Sequence, residues 1–211
     1  MKLTKYEHAC LILDNDQSRL IIDPGCFSKL PDDLANIGCL IITEEHVDHF
    51  NLENVQKILA QNSDVTIFST ANVYDQLAKE GIKSVAIHGA QTKDIGGYKL
   101  SFYETDHAPI YKKSPCKSLS LKVDDYLFYP SDSYNTIEDK VAILALPTSG
   151  PWHKLEEAIE LANAITSPKI LATHNFLYSE AGQGVANSFI RANLADSTRE
   201  FIYLKAGESI S

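Results

Sequence analysis

Between residues 43 and 50 the chain reads TEEHVDHF, which places Glu44, Glu45, His46, Asp48 and His49 within six positions. Carboxylates alone would suit a solvated turn. Two imidazoles in register with them suit a metal site, where nitrogen and oxygen donors converge on a divalent ion. Glu44, His46 and Asp48 recur at spacing two directly after the apolar run CLII at 39–42. If the extended geometry continues they point to one side, with His49 turning in as the chain breaks. Three further segments stop at ligand-type residues: SFYETDH at His107, YLFYPSD at Asp132 and KILATH at His174. Donors at the ends of rigid strands hold the geometry a metal requires.

The elements that must carry these residues are visible as short apolar runs. ACLILDN (9–15) and RLIIDPG (19–25) read as paired strands around the polar turn NDQS. GCLIIT (38–43) reads as a buried strand. A helix follows it, capped by Asn51 and carrying Leu52, Val55, Ile58 and Leu59. Next come a strand at 66–70, a helix at 71–81 stopped by Gly81, and a strand at 83–88. KLSFYE and SLSLKV alternate at period two, as half-buried antiparallel strands do. From 141 onward strands and helices alternate again, and the sequence carries no short-period repeat, low-complexity segment or linker. The order predicts an α/β fold of two mixed sheets with helices outside, one domain over residues 1–211.

The totals exclude some classes of function. A net charge of −9 argues against nucleic-acid polymers, whose binding needs a basic face. A small anionic substrate is still compatible, because bound ions reverse the local field. No apolar run approaches the ~20 residues of a membrane span. MKLTKYEHAC has no apolar leader core, and Cys10, Cys26, Cys39 and Cys116 form no CxxC pair. The expectation is a cytoplasmic protein with reduced thiols, no membrane partner, and a homo-oligomer left open.

TEEHVDH resembles the T-H-x-H-x-D-H signature of the metallo-β-lactamase superfamily. EHACLIL and LIIDPG resemble the opening strands of its small metal-dependent hydrolase branch, related to ascorbate-phosphate lactonases. LPTSGPW and ATHNFLYSEAGQ resemble that branch's C-terminal half. The resemblance spans nearly the whole chain. It implies a four-layer αββα sandwich, α+β in some schemes, with a dinuclear site between the sheets. Carried over residue by residue, positions 44 and 46 with His107 would hold the first ion. Asp48, His49 and His174 would hold the second, and Asp132 would bridge them. The implied cofactors are one or two divalent ions, zinc first, with manganese or iron as alternatives.

Glu44 departs from the pattern, since the family has its first histidine there. As a ligand it adds a third carboxylate to the set. It would weaken Lewis acidity, raise the pKa of a bridging water, and tilt preference from zinc toward manganese or iron. The plainer alternative turns Glu44 away and leaves the first site weak or empty.

Other candidates read two ways. His8 is a neighbour of the site or a strand residue with a local hydrogen bond. Asp23 orients a ligand histidine or initiates a turn before Pro24 and Gly25. Gly25 supplies backbone freedom. Ser149, Trp152 and His153 fall in the loop after VAILALP and line the pocket mouth, unless the tryptophan is structural. His88 reads as a surface residue, Glu104 and Asp106 as exposed or adjacent, and Cys116 as structural.

The implied activity is metal-dependent hydrolysis of a small ester, lactone or phosphoester. A metal-bound hydroxide would attack, with Asp48 both ligating and orienting the nucleophile. The alternatives are a nucleotide phosphodiesterase of the same superfamily, or a non-catalytic binding or sensing protein with a degraded metal site.

Overall fold

In β3 (Arg19–Ile22) and β4 (Ile37–Ile42) every apolar residue is buried, yet successive ones serve different layers. Leu20, Ile22, Cys39 and Ile41 enter the core between two sheets. Ile21, Leu40 and Ile42 enter the layer beneath α1 (Leu52–Gln61) and α2 (Ala71–Lys79). A strand covered on both faces loses the polar alternation of an edge strand, which is why CLII is an unbroken apolar run.

The computed structural model describes residues 1–113 and 116–211. The first sheet runs β14 (Ser209–Ile210), β1 (Lys2–Lys5), β2 (Leu11–Asp14), β3, β4, β5 (Thr66–Ser69) and β6 (Val85–Ala86). The second runs β13 (Glu200–Ile202), β12 (Lys169–Thr173), β11 (Ile143–Pro147), β10 (Leu127–Tyr129), β9 (Lys117–Val123), β8 (Tyr98–Asp106) and β7 (Ala90–Ile95). α3 (Leu155–Ala164) and α4 (Glu180–Ala192) cover its outer face through Leu161, Ala162 and Ile190. The result is the αββα sandwich.

Both sheets share one plan. Three antiparallel pairings are followed by three parallel ones, β3/β4/β5/β6 in the first sheet and β10/β11/β12/β13 in the second. The repetition lies in topology, at a spacing too long to register as a sequence period.

Several expectations shift. β4 ends at Ile42, so strand alternation does not aim Glu44, His46 and Asp48. Residues 46–50 instead form a turn in which the N–H groups of His49 and Phe50 donate to the His46 carbonyl at 3.0 and 2.8 Å. Gly25 serves close approach rather than backbone freedom, because a Cβ there would lie 1.8 Å from the Asp48 carbonyl oxygen. α4 begins at Glu180, earlier than GVANSFIRANL suggests, with Ser179 Oγ accepting from the Gly182 N–H. β7 escaped notice because AQTKDI is a half-exposed edge strand with almost no apolar content.

Candidate metal centre

Four loops leave the sheets on the same side. They follow β4 with Glu44, His46, Asp48 and His49, β8 with His107, β10 with Asp132, and β12 with His174. Their donor atoms form two groups, Asp48–His49–Asp132–His174 and Glu44–His46–His107, each with its atoms within 4.8 Å of one another. Asp132 links the groups. Its Oδ1 lies 3.2 Å from His49 Nε2, and its Oδ2 lies 3.0 Å from His174 Nε2 and 3.5 Å from His107 Nε2.

Three buried imidazoles commit Nδ1 to an acceptor behind them. His49 Nδ1 donates to Asp23 Oδ2 at 2.8 Å, His107 Nδ1 to the Ala108 carbonyl, and His174 Nδ1 to the Ser149 carbonyl. A carbonyl oxygen only accepts, so Nδ1 carries the proton and Nε2 is the atom left for a cation. Nε2 of His49, His107 and His174 and Oδ1 of Asp132 are buried without a hydrogen-bond partner. Polar atoms left this way are costly unless something coordinates them. Inward imidazole lone pairs, oriented from behind and flanked by carboxylates, fit divalent ions.

The carboxylates around the imidazoles favour positive charge at those nitrogens. Burial opposes charge on His174, but the carboxylates of Asp132 and Asp48 outweigh it and raise its pKa to about 9. Burial opposes charge on His49 as well, and Asp132, Glu44 and Asp23 raise its pKa well above the usual imidazole range. Asp132 is held far below the usual carboxylate range, against burial, by His174 and His49. A divalent cation entering the cluster displaces protons held there.

Glu44 points inward. It is fully buried, with Oε1 3.1 Å from His46 Nδ1 and 3.2 Å from His49 Nε2, and Oε2 3.6 Å from His107 Nε2. Cys116 lies against this carboxylate. Its thiol donates to Glu44 Oε2 at 3.6 Å, and it lines a cleft of about 330 Å³ with Glu45, His46, His107, Ile110 and Lys113. Burial and the Glu44 carboxylate push that thiol up to about 12.

Behind the donors stands a set of fixed supports. Asp23 accepts from the Thr43 N–H, Thr43 Oγ1, His49 Nδ1 and Tyr129 OH at 2.6–2.8 Å, which leaves it no freedom to turn. Trp152 donates its indole N–H to Asp132 Oδ2 at 2.8 Å. His8 Nδ1 accepts the Phe176 N–H at 3.3 Å, so its proton sits on Nε2 and is donated to Asp48 Oδ2 at 3.0 Å. Burial lowers the His8 pKa to about 4 and keeps the ring neutral. Ser149 Oγ donates to the His174 carbonyl. His153 packs on Trp152, His88 is exposed, Glu104 accepts the Gly89 N–H, and Asp106 pairs with Lys117 at 2.7 Å.

Tyr129 escaped the sequence reading, and its only signal was its place at the end of a buried strand. The backbone here is unusual as well. His8, Asp23, Ser131 and His174 all adopt left-handed φ, between 48° and 57°, a region few side chains other than glycine enter.

The profile described as beta-lactamase superfamily domain matches residues 2–174. Protein Rv0786c of Mycobacterium tuberculosis is 25% identical over 191 residues, covering 88% of this chain and 89% of its own. UPF0173 protein PF0020 of Pyrococcus furiosus is 24% identical over 189 residues, covering 86% of each. The solved structure of Igni18, described as a metallo hydrolase from Ignicoccus hospitalis, superposes with a TM-score of 0.74 at 16% identity. That match covers 99% of this chain and 97% of Igni18. The chain belongs to the beta-lactamase superfamily domain family and has the metallo-β-lactamase fold.

Proposed function

We propose that this member of the beta-lactamase superfamily is a metal-dependent hydrolase of a small ester, lactone or phosphoester. The observation that carries the reading is the convergence of three buried Nε2 atoms on Asp132, each imidazole fixed from behind at Nδ1. Glu44, His46 and His107 would hold one ion, and Asp48, His49 and His174 another, with Asp132 between them. Zinc suits the imidazoles, and the third carboxylate brings manganese or iron within reach. Divalent ions held there supply Lewis acidity, polarising the bond under attack and lowering the pKa of water.

The side chains do the rest. Glu44 and Asp132 are shut inside, whereas the Asp48 side chain is 19% exposed and meets water at the mouth. The His8 Nε2–H bond and the neighbouring His174 and His49 rings overcome burial and keep Asp48 ionised, so it can accept a hydrogen bond from an attacking water and orient it. Trp152 holds Asp132 in one orientation, and Asp23 does the same for His49. A degraded, non-catalytic site would be expected to turn Glu44 away, whereas its carboxylate lies against three imidazoles.

The test is elemental analysis of protein purified without added metal, followed by turnover of p-nitrophenyl acetate, a simple lactone and bis-p-nitrophenyl phosphate. Retained metal, chelator-sensitive turnover and its loss in Asp48→Asn support the reading. No turnover of any of the three with zinc, manganese or iron refutes it.

A further inference from the structure

Several of the large apolar side chains that stay in water lie on the loops that carry the metal-site residues. Val47, between His46 and Asp48, is 67% exposed. Phe176 and Leu177, just past His174, are 46% and 49% exposed. Phe27 stacks on Phe176 with ring centroids 4.7 Å apart and planes at 24°. The edge of Phe27 meets His8 at 5.2 Å, and His8 lies 3.8 Å from the His174 ring. The Cys26 N–H donates to the Val47 carbonyl at 2.7 Å, tying the Phe27 segment to the His46–His49 turn. Val47, Phe27 and Phe176 therefore border the His8/His174 side of the centre.

This border is built to stay in place. Phe176 is anchored through its N–H to His8 Nδ1. Gln183 Nε2 donates to the carbonyls of Asn175 and Tyr178 at 2.9 and 3.0 Å, bracketing Phe176 and Leu177. Lys5 Nζ, almost wholly buried, donates to Asn175 Oδ1 at 3.0 Å from beneath. Water disfavours exposed apolar surface, and a loop tied down in this way cannot fold its side chains inward. The stack offers an apolar group a flat surface beside the reacting centre. The stack itself carries no charged group of its own, since Lys5 beneath it is spent on Asn175.

We propose that Phe27, Phe176 and Val47 form a subsite for the acyl or aryl substituent of a carboxylic ester or lactone. The inference rests on the hydrolase reading above and narrows its substrate class to carboxylic compounds with an apolar body.

The test uses linear carboxylates from propanoate to octanoate as probes of zinc-loaded protein. Binding is followed by the fluorescence of Trp152, the chain's one tryptophan, whose ring lies 5.7 Å from those of His107 and His174. Affinity should rise about two- to fourfold per methylene, the upper figure being that of a fully buried CH₂, until the border is covered. kcat/KM for p-nitrophenyl esters of the same chain lengths should rise in parallel. Phe176→Ser should flatten both slopes with metal content intact, and Phe27→Ser should do the same.

A flat series in the wild type, or a slope that survives both substitutions, overturns the subsite. A dimer that Phe176→Ser dissociates would assign the border to a second copy and also overturns it. Turnover without chain-length dependence removes the subsite and leaves the hydrolase reading standing. A chain-length slope in binding without any turnover keeps the border as an apolar binding surface but overturns the hydrolase reading and, with it, the assignment to an ester or lactone.

Discussion

His8→Phe isolates the support behind Asp48. Phenylalanine keeps a ring against His174 but removes the Nε2–H donated to Asp48 Oδ2 at 3.0 Å. A hydrogen bond to an ionised acceptor contributes about 1.5–3 kcal/mol. At about 1.4 kcal/mol per tenfold, that is roughly a 10–100-fold loss of affinity for an ion that Asp48, His49 and His174 would hold. An ion at Glu44, His46 and His107 should be little affected, since His8 touches none of them. The substitution also strips the Phe176 N–H of its acceptor. Loss of such a part-buried hydrogen bond costs about 0.5–1.5 kcal/mol, and at about 2–4 °C per kcal/mol for a chain of this size the melting temperature of metal-free protein should fall. Zinc competition against a chromophoric chelator resolves the two affinities, and a melting curve in chelator reads the stability. His8→Gln returns a side-chain donor and should recover part of the affinity. The reasoning fails if His8→Phe lowers stability yet leaves both affinities unchanged, or if glutamine rescues nothing.

Further outcomes follow from the same geometry. Adding zinc or manganese to chelator-stripped protein at about 100 times its dissociation constant should contribute about 2.7 kcal/mol, a rise of about 5–10 °C by scanning fluorimetry; no shift with any divalent ion would speak against the centre. Glu44→His exchanges a buried carboxylate for an imidazole and should raise zinc affinity relative to manganese, measured by competition between the two ions. If the preference stays put, Glu44 is not a ligand. Lys5 has its pKa lowered by burial to about 8, against 10.5 for the free side chain. Below pH 8 both folded and unfolded chains carry that proton, and the folded state bears the burden of a buried charge. Between pH 8 and 10.5 the folded state gives up the proton first, so stability should climb with pH, by up to about 3 kcal/mol. Urea unfolding across that window should show the climb in wild type and lose it in Lys5→Met.

The convergence of the four loops was readable because each donor segment ends an apolar run, and buried strands of one layered fold end on shared edges. Helix α1 was readable to its cap, with Asn51 Oδ1 accepting the Asn54 N–H. What escaped depends on contacts between segments far apart in the chain. Cys116 meets Glu44 only because β8 and β9 fold back on each other and carry residue 116 beside His107, whose N–H donates to the Cys116 carbonyl. Tyr129 reaches Asp23 across the core between the two sheets. Gly25 is required by the Asp48 backbone, a neighbour no local pattern reveals. The period-two reading of Glu44, His46 and Asp48 misjudged the geometry, because a turn rather than a strand gathers them.

The four left-handed residues within the centre set it against the heat tolerance of the protein. At about 1–2 kcal/mol each, the backbone conformations of His8, Asp23, Ser131 and His174 cost about 4–8 kcal/mol in all. That is comparable to the whole net stability of an ordinary domain, about 5–15 kcal/mol. Glycine would relieve the strain at each position and would remove a polar group in doing so, at 131 the hydroxyl that lies 2.6 Å from Thr43 Oγ1. Laboratory evolution of this chain for thermostability, without selection for chemistry, would therefore find some of its largest gains at these positions, and each gain would erode the centre.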